Sequence, residues 1–328
     1  MAVPPHCPFA REASAAISAL GETALLGKIR QWLTGVTPPI PEGMGDDAAV
    51  LPGTTAPANL FTTDSLIYGR HFDASTPPQA VGAKLLKRSL SDIAAMAGRP
   101  HSAVLACLLP KQVSTAWLSA CYAGLRDEAL RYRVAIVGGD LAETEADLAF
   151  SLSLLGRAER PVGRSGAQVG DRLYLTGELG GSLAGKDLDF EPRLAEGHWL
   201  GQQAGVRAMI DVTDGLSKEL PLLLPPDCAA GLCRSALPVS AAARACASRS
   251  GRSPLDHALS DGEDYELLFT LSPEVDAQRF LHEWQTNFST PLREIGQVLP
   301  RPASNVAQIV DLATGVALLA QPGFEHFC

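Results

Sequence analysis

The chain has 328 residues, 46% of them apolar and 19% charged, with 36 acidic against 27 basic side chains and a formal net charge of −9. That length supplies material for two domains. The acidic balance, with no basic run or basic helix, excludes a general binder of nucleic acid or of anionic membranes, although an acidic protein still binds phosphates where metal ions supply the positive charge.

In chain order, Met1 to Leu20 is Ala/Ser/Pro-rich with Arg11 as its one base, and it reads as a loose arm. Its apolar stretch around Ala15-Ala16-Ile17 is too short for a signal-peptide core. Glu22 to Leu33 predicts an amphipathic helix, closed by the proline-rich loop Pro38 to Pro41. Short strands are expected at Ala48 to Leu51 and at Asn59 to Thr63. Val81 to Ala97 predicts a helix with Leu86, Leu90, Ile93 and Ala97 in one stripe, and Asp92 falls about 100–120° from that stripe, at the edge of the buried face. A strand over Ser102 to Leu109, a helix over Thr115 to Leu130 and a β-branched strand over Val134 to Val137 follow, the last running into Gly138-Gly139-Asp140 as a turn. Ala149 to Leu155 alternates as a half-buried strand. The polar stretch Gly156 to Gly170 marks the boundary between a domain over 21–156 and one over 157–328. The second half restarts with a strand at Arg172 to Thr176 and a glycine-rich turn at Gly177 to Gly185, with strands at Ala208 to Val212 and Tyr265 to Leu271. Strands and helices mix in both halves, which gives a two-lobed α+β or α/β fold. No apolar run approaches the roughly 20 residues of a transmembrane helix. The seven cysteines are scattered and odd in number, and Cys228 and Cys233 lack a second Cys or His pair. They read as free thiols in a reducing cytoplasm rather than as a zinc site.

The chemistry is carried by aspartates beside Gly, Ser or Thr: Gly43-Met44-Gly45-Asp46-Asp47, Thr62-Thr63-Asp64, Ser91-Asp92, Gly138-Gly139-Asp140 and Asp211-Val212-Thr213-Asp214-Gly215. One such Asp is ordinarily an Asx-turn or a helix cap, and Asp46 or Asp214 could be only that. Five such segments are hard to explain as five independent caps, and unpaired buried carboxylates are expensive. Hard oxygen ligands of this kind suit Mg²⁺, which usually arrives with a phosphate. The familiar phosphate loops do not fit. Gly21 to Lys28 is one residue too long for a P-loop and has Ile29 in place of Ser/Thr. Gly43-x-Gly45-x-x-Ala48 imitates a dinucleotide fingerprint, but Asp46 and Asp47 would repel a pyrophosphate. His71, Arg164 and Glu263, taken singly, read equally well as structural residues.

Taken in order, these segments resemble the bacterial thiamine-monophosphate kinases of the aminoimidazole-ribonucleotide-synthetase-like superfamily. The segments that carry the resemblance are Gly43 to Leu51, Thr63-Asp64-Ser65-Leu66 to His71-Phe72, Ser91 to Met96, Gly138-Gly139-Asp140, Arg164 to Ala167, Asp211 to Leu216, Gly262 to Leu267 and the terminal Gly323-Phe324-Glu325-His326-Phe327. The resemblance implies transfer of the γ-phosphoryl group of ATP to thiamine monophosphate, the last step in making thiamine diphosphate, with Mg²⁺ as cofactor. It implies that Asp47, Thr62, Thr63, Asp64, Asp92, Asp140, Asp211 and Asp214 hold Mg²⁺, with Asp47, Asp64, Asp92, Asp140 and Asp214 central to catalysis. It implies nucleotide contacts at Gly139, Asp140, Arg164 and Thr213, and contacts to thiamine monophosphate at His71, Glu263 and Phe324; an aromatic at 324 suits a cationic thiazolium. It further implies a cytoplasmic homodimer formed through the N-terminal lobe, with the site in the cleft between lobes.

The chain departs from the family pattern at Ser89, at Leu141-Ala142-Glu143-Thr144, at Gly180-Gly181-Ser182-Leu183 and at Tyr68 and Arg70 beside His71. These changes bear on nucleotide affinity and turnover rather than on the carboxylates. Three rivals stand at this stage: a superfamily synthetase with another acceptor, a metal-dependent phosphatase, and a non-catalytic nucleotide binder.

Overall fold

The computed structural model describes residues 22–32, 45–51, 57–301 and 308–318, with the single positions 14 and 19. The proline-rich loop before residue 45 and the segment around Phe324 lie outside the described residues. Five strands, β1 (Ala49–Leu51), β2 (Ala58–Ile67), β3 (Arg99–Leu109), β4 (Ala135–Glu143) and β5 (Ala149–Ala158), form one sheet in the order β1-β2-β5-β3-β4. Six more, β6 (Arg172–Thr176), β7 (Val206–Asp211), β8 (Cys228–Leu232), β9 (Leu267–Leu271), β10 (Leu292–Pro300) and β11 (Ile309–Asp311), form a second sheet in the order β11-β8-β10-β6-β9-β7. Pairing is antiparallel except for β3 with β4 and β8 with β11. Among the helices are α1 (Glu22–Trp32), α2 (Pro78–Ala95), α3 (Thr115–Arg131), α4 (Lys186–Asp189), α5 (Leu194–Gln202), α6 (Leu216–Leu223), α7 (Ala241–Ser250), α8 (Pro254–Ser260) and α9 (Ala277–Asn287). The chain crosses from one sheet to the other between β5 and β6, within the polar stretch that the sequence marks. No helix among the described residues is long and apolar enough to cross a membrane.

Helix α2 organises both lobes. Pro78 sits in its first turn, where a missing N–H is harmless. It stops where Ala97 turns left-handed (φ 59°) and the Gly98 N–H reaches back to the Ile93 carbonyl at 2.8 Å. Leu85, Leu86, Leu90 and Ile93 are buried against Leu60, Leu66, Phe150 and Leu152 of the first sheet. The small residues Ala94, Ala95 and Ala97 pack instead among Tyr174, Met209, Phe269 and Trp284, so the end of the same helix enters the core of the second lobe. A third core, around Leu173, Ile210, Leu220 and Leu268, fills the other side of the second sheet.

Two expected turns are strand. The strand expected to end at Thr63 continues to Ile67, with Asp64 paired opposite Leu152. Gly138-Gly139-Asp140 is not a turn either: β4 runs through it, with Gly138, Gly139 and Asp140 opposite Val104, Leu105 and Ala106. Gly139 is there for proximity, since a Cβ would stand 2.0 Å from the Leu105 carbonyl oxygen.

Glycines also set the α2–α3 contact. A Cβ on Gly82 would lie 1.8 Å from the Cys121 carbonyl oxygen, and one on Gly124 would lie 1.9 Å from that of Gln79. Gly124→Ala is therefore expected to lower unfolding free energy by about 1–3 kcal/mol, because the two helices must separate. Gly27→Ala, on α1 with nothing within 4 Å, is expected to be neutral or slightly stabilising. Urea denaturation of the two variants tests the pair.

Candidate active site

Three carboxylates from distant parts of the chain converge. Asp47 precedes β1, Asp92 projects from α2, and Asp211 is the last residue of β7. One oxygen from each lies within 4.8 Å of the others, close enough for all three to share one cation. Asp92 is half-buried, as its position at the edge of the helix stripe predicts. Hydroxyls aim these groups. Thr62 Oγ1 donates to Asp92 Oδ2 at 2.5 Å, Ser91 Oγ donates to Asp211 Oδ2, and Ser89 Oγ donates to Asp64 Oδ2 at 3.1 Å. Arg164 closes the cluster from the inter-lobe segment. Its Nη2 and Nε bond the two oxygens of Asp47 at 2.6 and 3.3 Å, and its own N–H bonds Asp46 at 3.0 Å. Asp46 thus braces the chain, as the plain reading of that residue allows, whereas Asp47 faces the cluster.

The electrostatics are those of crowded like charges. Burial, then the neighbouring Asp64, Asp211 and Asp47, pushes Asp92 well above the usual carboxylate range. Burial and Asp47 raise Asp211 to about 8, despite the hydrogen bond from Ser91 and the nearby Arg164. Burial and Asp47 raise Asp46 to about 6. Burial is the largest single influence on Arg164 and opposes its charge, but the charge and hydrogen bond of Asp47, together with Asp211 and Asp46, hold the guanidinium pKa above its ordinary value.

Beside the cluster opens a cavity of about 350 Å³, whose walls include Asp64, His71, Arg88, Asp92, Asp187, Thr213, Asp214, Glu263 and Tyr265. Its floor is the turn after β7. Asp214 does not cap α6; the N-cap is Gly215, without a side-chain cap. Asp214 accepts from Lys218 Nζ at 2.6 Å. The buried Glu219 takes over the bracing role, accepting from the Asp214 N–H at 2.8 Å and from Thr213 Oγ1 at 3.2 Å. His71 Nδ1 accepts from the Ile67 N–H at 3.0 Å, which fixes the ring at the end of β2.

The structure therefore brings together Asp47, Thr62, Asp64, Asp92, Arg164 and Asp211, and beside them His71, Thr213, Asp214 and Glu263. Three further sequence candidates, Thr63, Gly139 and Asp140, lie elsewhere. Thr63 points to the opposite face of β2, where it bonds the Leu152 carbonyl at 3.2 Å. Gly139 and Asp140 lie on the exposed edge strand β4, outside the cavity wall. Phe324 is outside the described residues. Sequence reasoning missed Lys84, Arg88, Asp187 and Glu219. The spacing of Lys84, Arg88 and Asp92 at i, i+4 and i+8 on one helix face was the available signal for the first two.

The family described as AIR synthase related protein, N-terminal domain, matches residues 45–158. The chain is 39% identical to the thiamine-monophosphate kinase of Rhodopirellula baltica over 282 residues, covering 82% of this chain and 88% of that protein. It is 33% identical to the Escherichia coli K12 enzyme of the same name, covering 94% of this chain and 99% of that protein. The chain belongs to the thiamine-monophosphate kinase family. Its fold is that of AaThiL, solved as a complex with AMPPCP and TMP, with a TM-score of 0.80 and 26% identity over 96% of this chain and all of that one. The two-lobed α+β architecture expected from the sequence is thus the family's own.

The crowding has a thermodynamic consequence. A carboxyl whose pKa is raised by folding favours the folded state when protonated. The stability it contributes is fully present below the unfolded value of 3.8 and is lost as pH rises through the folded value. Without divalent cations, Asp211 and Asp92 should make the protein less stable as pH rises from about 4 towards about 8. Asp211→Asn should flatten that decline. Thermal melts in EDTA across this pH range check it, and a slope unchanged by Asp211→Asn would refute the assignment.

Proposed function

We propose that this chain is an ATP-dependent kinase of thiamine monophosphate, moving the γ-phosphoryl group of ATP onto the substrate's phosphate to give thiamine diphosphate and ADP. The observation that carries the reading is the convergence of Asp47, Asp92 and Asp211 beside a cavity walled by Asp64, Asp214, His71 and Glu263, in a chain of this family. A relative of the same fold, AaThiL, was solved with AMPPCP, an ATP analogue, and with TMP.

The donor set fits Mg²⁺: carboxylate and hydroxyl oxygens, with neither thiolate nor imidazole in the cluster. Bound there, Mg²⁺ would neutralise charge on two anionic substrates and hold the transferring phosphate in line. In this reading Asp47, Asp64, Asp92, Asp211 and Asp214 bind the cations. Thr62 and Ser91 keep two of those carboxylates aimed, and Arg164 and Thr213 turn towards the nucleotide. His71 and Glu263 line the acceptor end of the cavity. The acceptor phosphate is ionised near neutral pH, its second pKa being about 6, so no strong general base is required. Transfer is direct, and a phosphorylated residue trapped during turnover would overturn that step. The lobe over 21–156 contributes most of the carboxylates, and the lobe over 157–328 completes the nucleotide and acceptor sites.

Incubation with Mg²⁺, ATP and thiamine monophosphate is expected to give thiamine diphosphate and ADP one-to-one, and free thiamine is expected to give neither. Asp47→Asn should lower the rate at least about 100-fold, as for loss of an electrostatic clamp on the transferring group. ADP without thiamine diphosphate would mean another acceptor, and near-wild-type turnover of Asp47→Asn would refute the site.

The same reading makes the protein a homodimer through β4. Every residue of that edge strand is exposed in the single chain, including Val137 at 66% and Leu141 at 71%. Unpaired edges with apolar side chains normally seek a partner. The double variant Val137→Glu and Leu141→Lys should sediment as a monomer where the wild type sediments as a dimer.

A further inference from the structure

Lys84 on α2 has no exposed surface, although it carries a primary amine. A buried ammonium is tolerated only when its donors are met. The side chain has three donors, and three acceptors meet them: Asp187 Oδ2 at 2.7 Å, Glu263 Oε1 at 3.0 Å and the His71 carbonyl oxygen at 3.3 Å. These belong to three separate segments. His71 follows β2 in the first lobe, Asp187 lies on α4, and Glu263 lies in the loop before β9. All three residues line the cavity, and Lys84 itself does not. Asp187 and Glu263 stay 19% and 33% exposed, so each turns part of its carboxylate towards the open space while Lys84 grips it from behind.

The loop that carries Glu263 needs such a grip. Glu263 and Tyr265 adopt φ of 50° and 54°, a region that side chains with a Cβ rarely enter, and Gly262 has φ of 72°. The Glu263 N–H is anchored at 2.5 Å to the Thr213 carbonyl, in the turn that also carries Asp214. Tyr265 Oη donates to the same Glu263 oxygen at 3.2 Å. The neighbouring Lys87 holds the other end of the α4 segment, donating to the Leu188 and Phe190 carbonyls at 2.7 and 2.8 Å. One helix face of the first lobe thus fastens two segments of the second.

We infer that Lys84 is the positioning residue of the acceptor subsite: it holds Glu263, Asp187 and the His71 segment in the arrangement that receives thiamine monophosphate, and it acts through Glu263 without touching substrate. The inference rests on the proposed kinase reading. Wild-type turnover of thiamine monophosphate, measured first, tests that reading separately.

Lys84→Met keeps the length and packing of the side chain and removes the three donors. It is expected to raise the KM for thiamine monophosphate at least tenfold while the KM for ATP stays within twofold. In a Glu263→Gln background, adding Lys84→Met should change the acceptor KM less than twofold, because the group through which Lys84 acts is already altered. Calorimetric titration of thiamine monophosphate into each variant gives the same comparison without catalysis. If Lys84→Met does not fold, Lys84→Gln serves, its amide still meeting one acceptor, with the same expected split between the two substrates. A parallel rise in both KM values would mark Lys84 as a general structural residue and overturn the inference. So would an unchanged acceptor KM, or effects of Lys84 and Glu263 that multiply. Absence of thiamine diphosphate from the wild type would overturn the kinase reading instead.

Discussion

The arrangement depends on forcing three aspartates together where burial penalises their charge. Asp47, Asp92 and Asp211 are 45 and 119 residues apart along the chain, and no local preference brings them together. The fold does so by letting each arrive on an element already fixed by apolar packing. Asp92 rides on a helix sealed by Leu90 and Ile93, and Asp211 ends a strand whose Met209 and Ile210 are fully buried. The remaining repulsion is offset by fixed donors. Arg164 neutralises Asp47 from outside, while Thr62 and Ser91 supply hydroxyls to the other two. The three carboxylates are thus held together by one guanidinium and a set of hydroxyls.

Helix α2 makes this possible. Among the described residues it is the one element that contributes to the core of the first lobe, to a core of the second lobe and to the polar cleft. Its faces are divided accordingly. Leucines and Ile93 face the first sheet, glycine and alanine allow close approach to α3 and to the second lobe, Arg88 and Asp92 face the cleft, and Lys84 is buried behind its wall. The small residues matter as much as the large ones, because lobes held a few ångströms farther apart would separate Asp92 from Asp211.

Much of this was legible in the sequence where one periodicity governed. The strand Arg172–Thr176 falls where its apolar run places it, and the α2 stripe fixed both the buried side and the marginal position of Asp92. Reading failed where a residue served a contact distant in sequence. Gly138-Gly139-Asp140 looks like a turn because glycine and aspartate favour turns, yet Gly139 is required by the backbone of β3 packed against it. Asp64 looks like the end of a strand because carboxylates are scarce within strands, yet Ser89 and Arg88 of α2 accommodate it there. Lys84 and Glu219 were invisible for the same reason: a lysine or glutamate in a helix is ordinarily solvated, and only the assembled lobes bury these two. The helices and strands after residue 215 lack a strong motif, and most were not anticipated.

Local order is sacrificed selectively. Four non-glycine residues with positive φ occur among the described residues, and two of them, Glu263 and Tyr265, line the cavity. Of seven buried side-chain polar atoms without a hydrogen-bond partner among the described residues, three flank it: Ser182 Oγ in its wall, Glu219 Oε2 behind Thr213, and Asp264 Oδ2 beside Glu263. Each such feature opposes folding, by about 1–3 kcal/mol for a strained backbone or an unsatisfied group. Scattered at random they would signify only imperfect packing. Three of those seven atoms and two of those four residues fall around one cavity, beside three crowded carboxylates, where local rules yield to the arrangement of the site. That distribution coincides with the cavity that Asp64, Asp92 and Asp214 line.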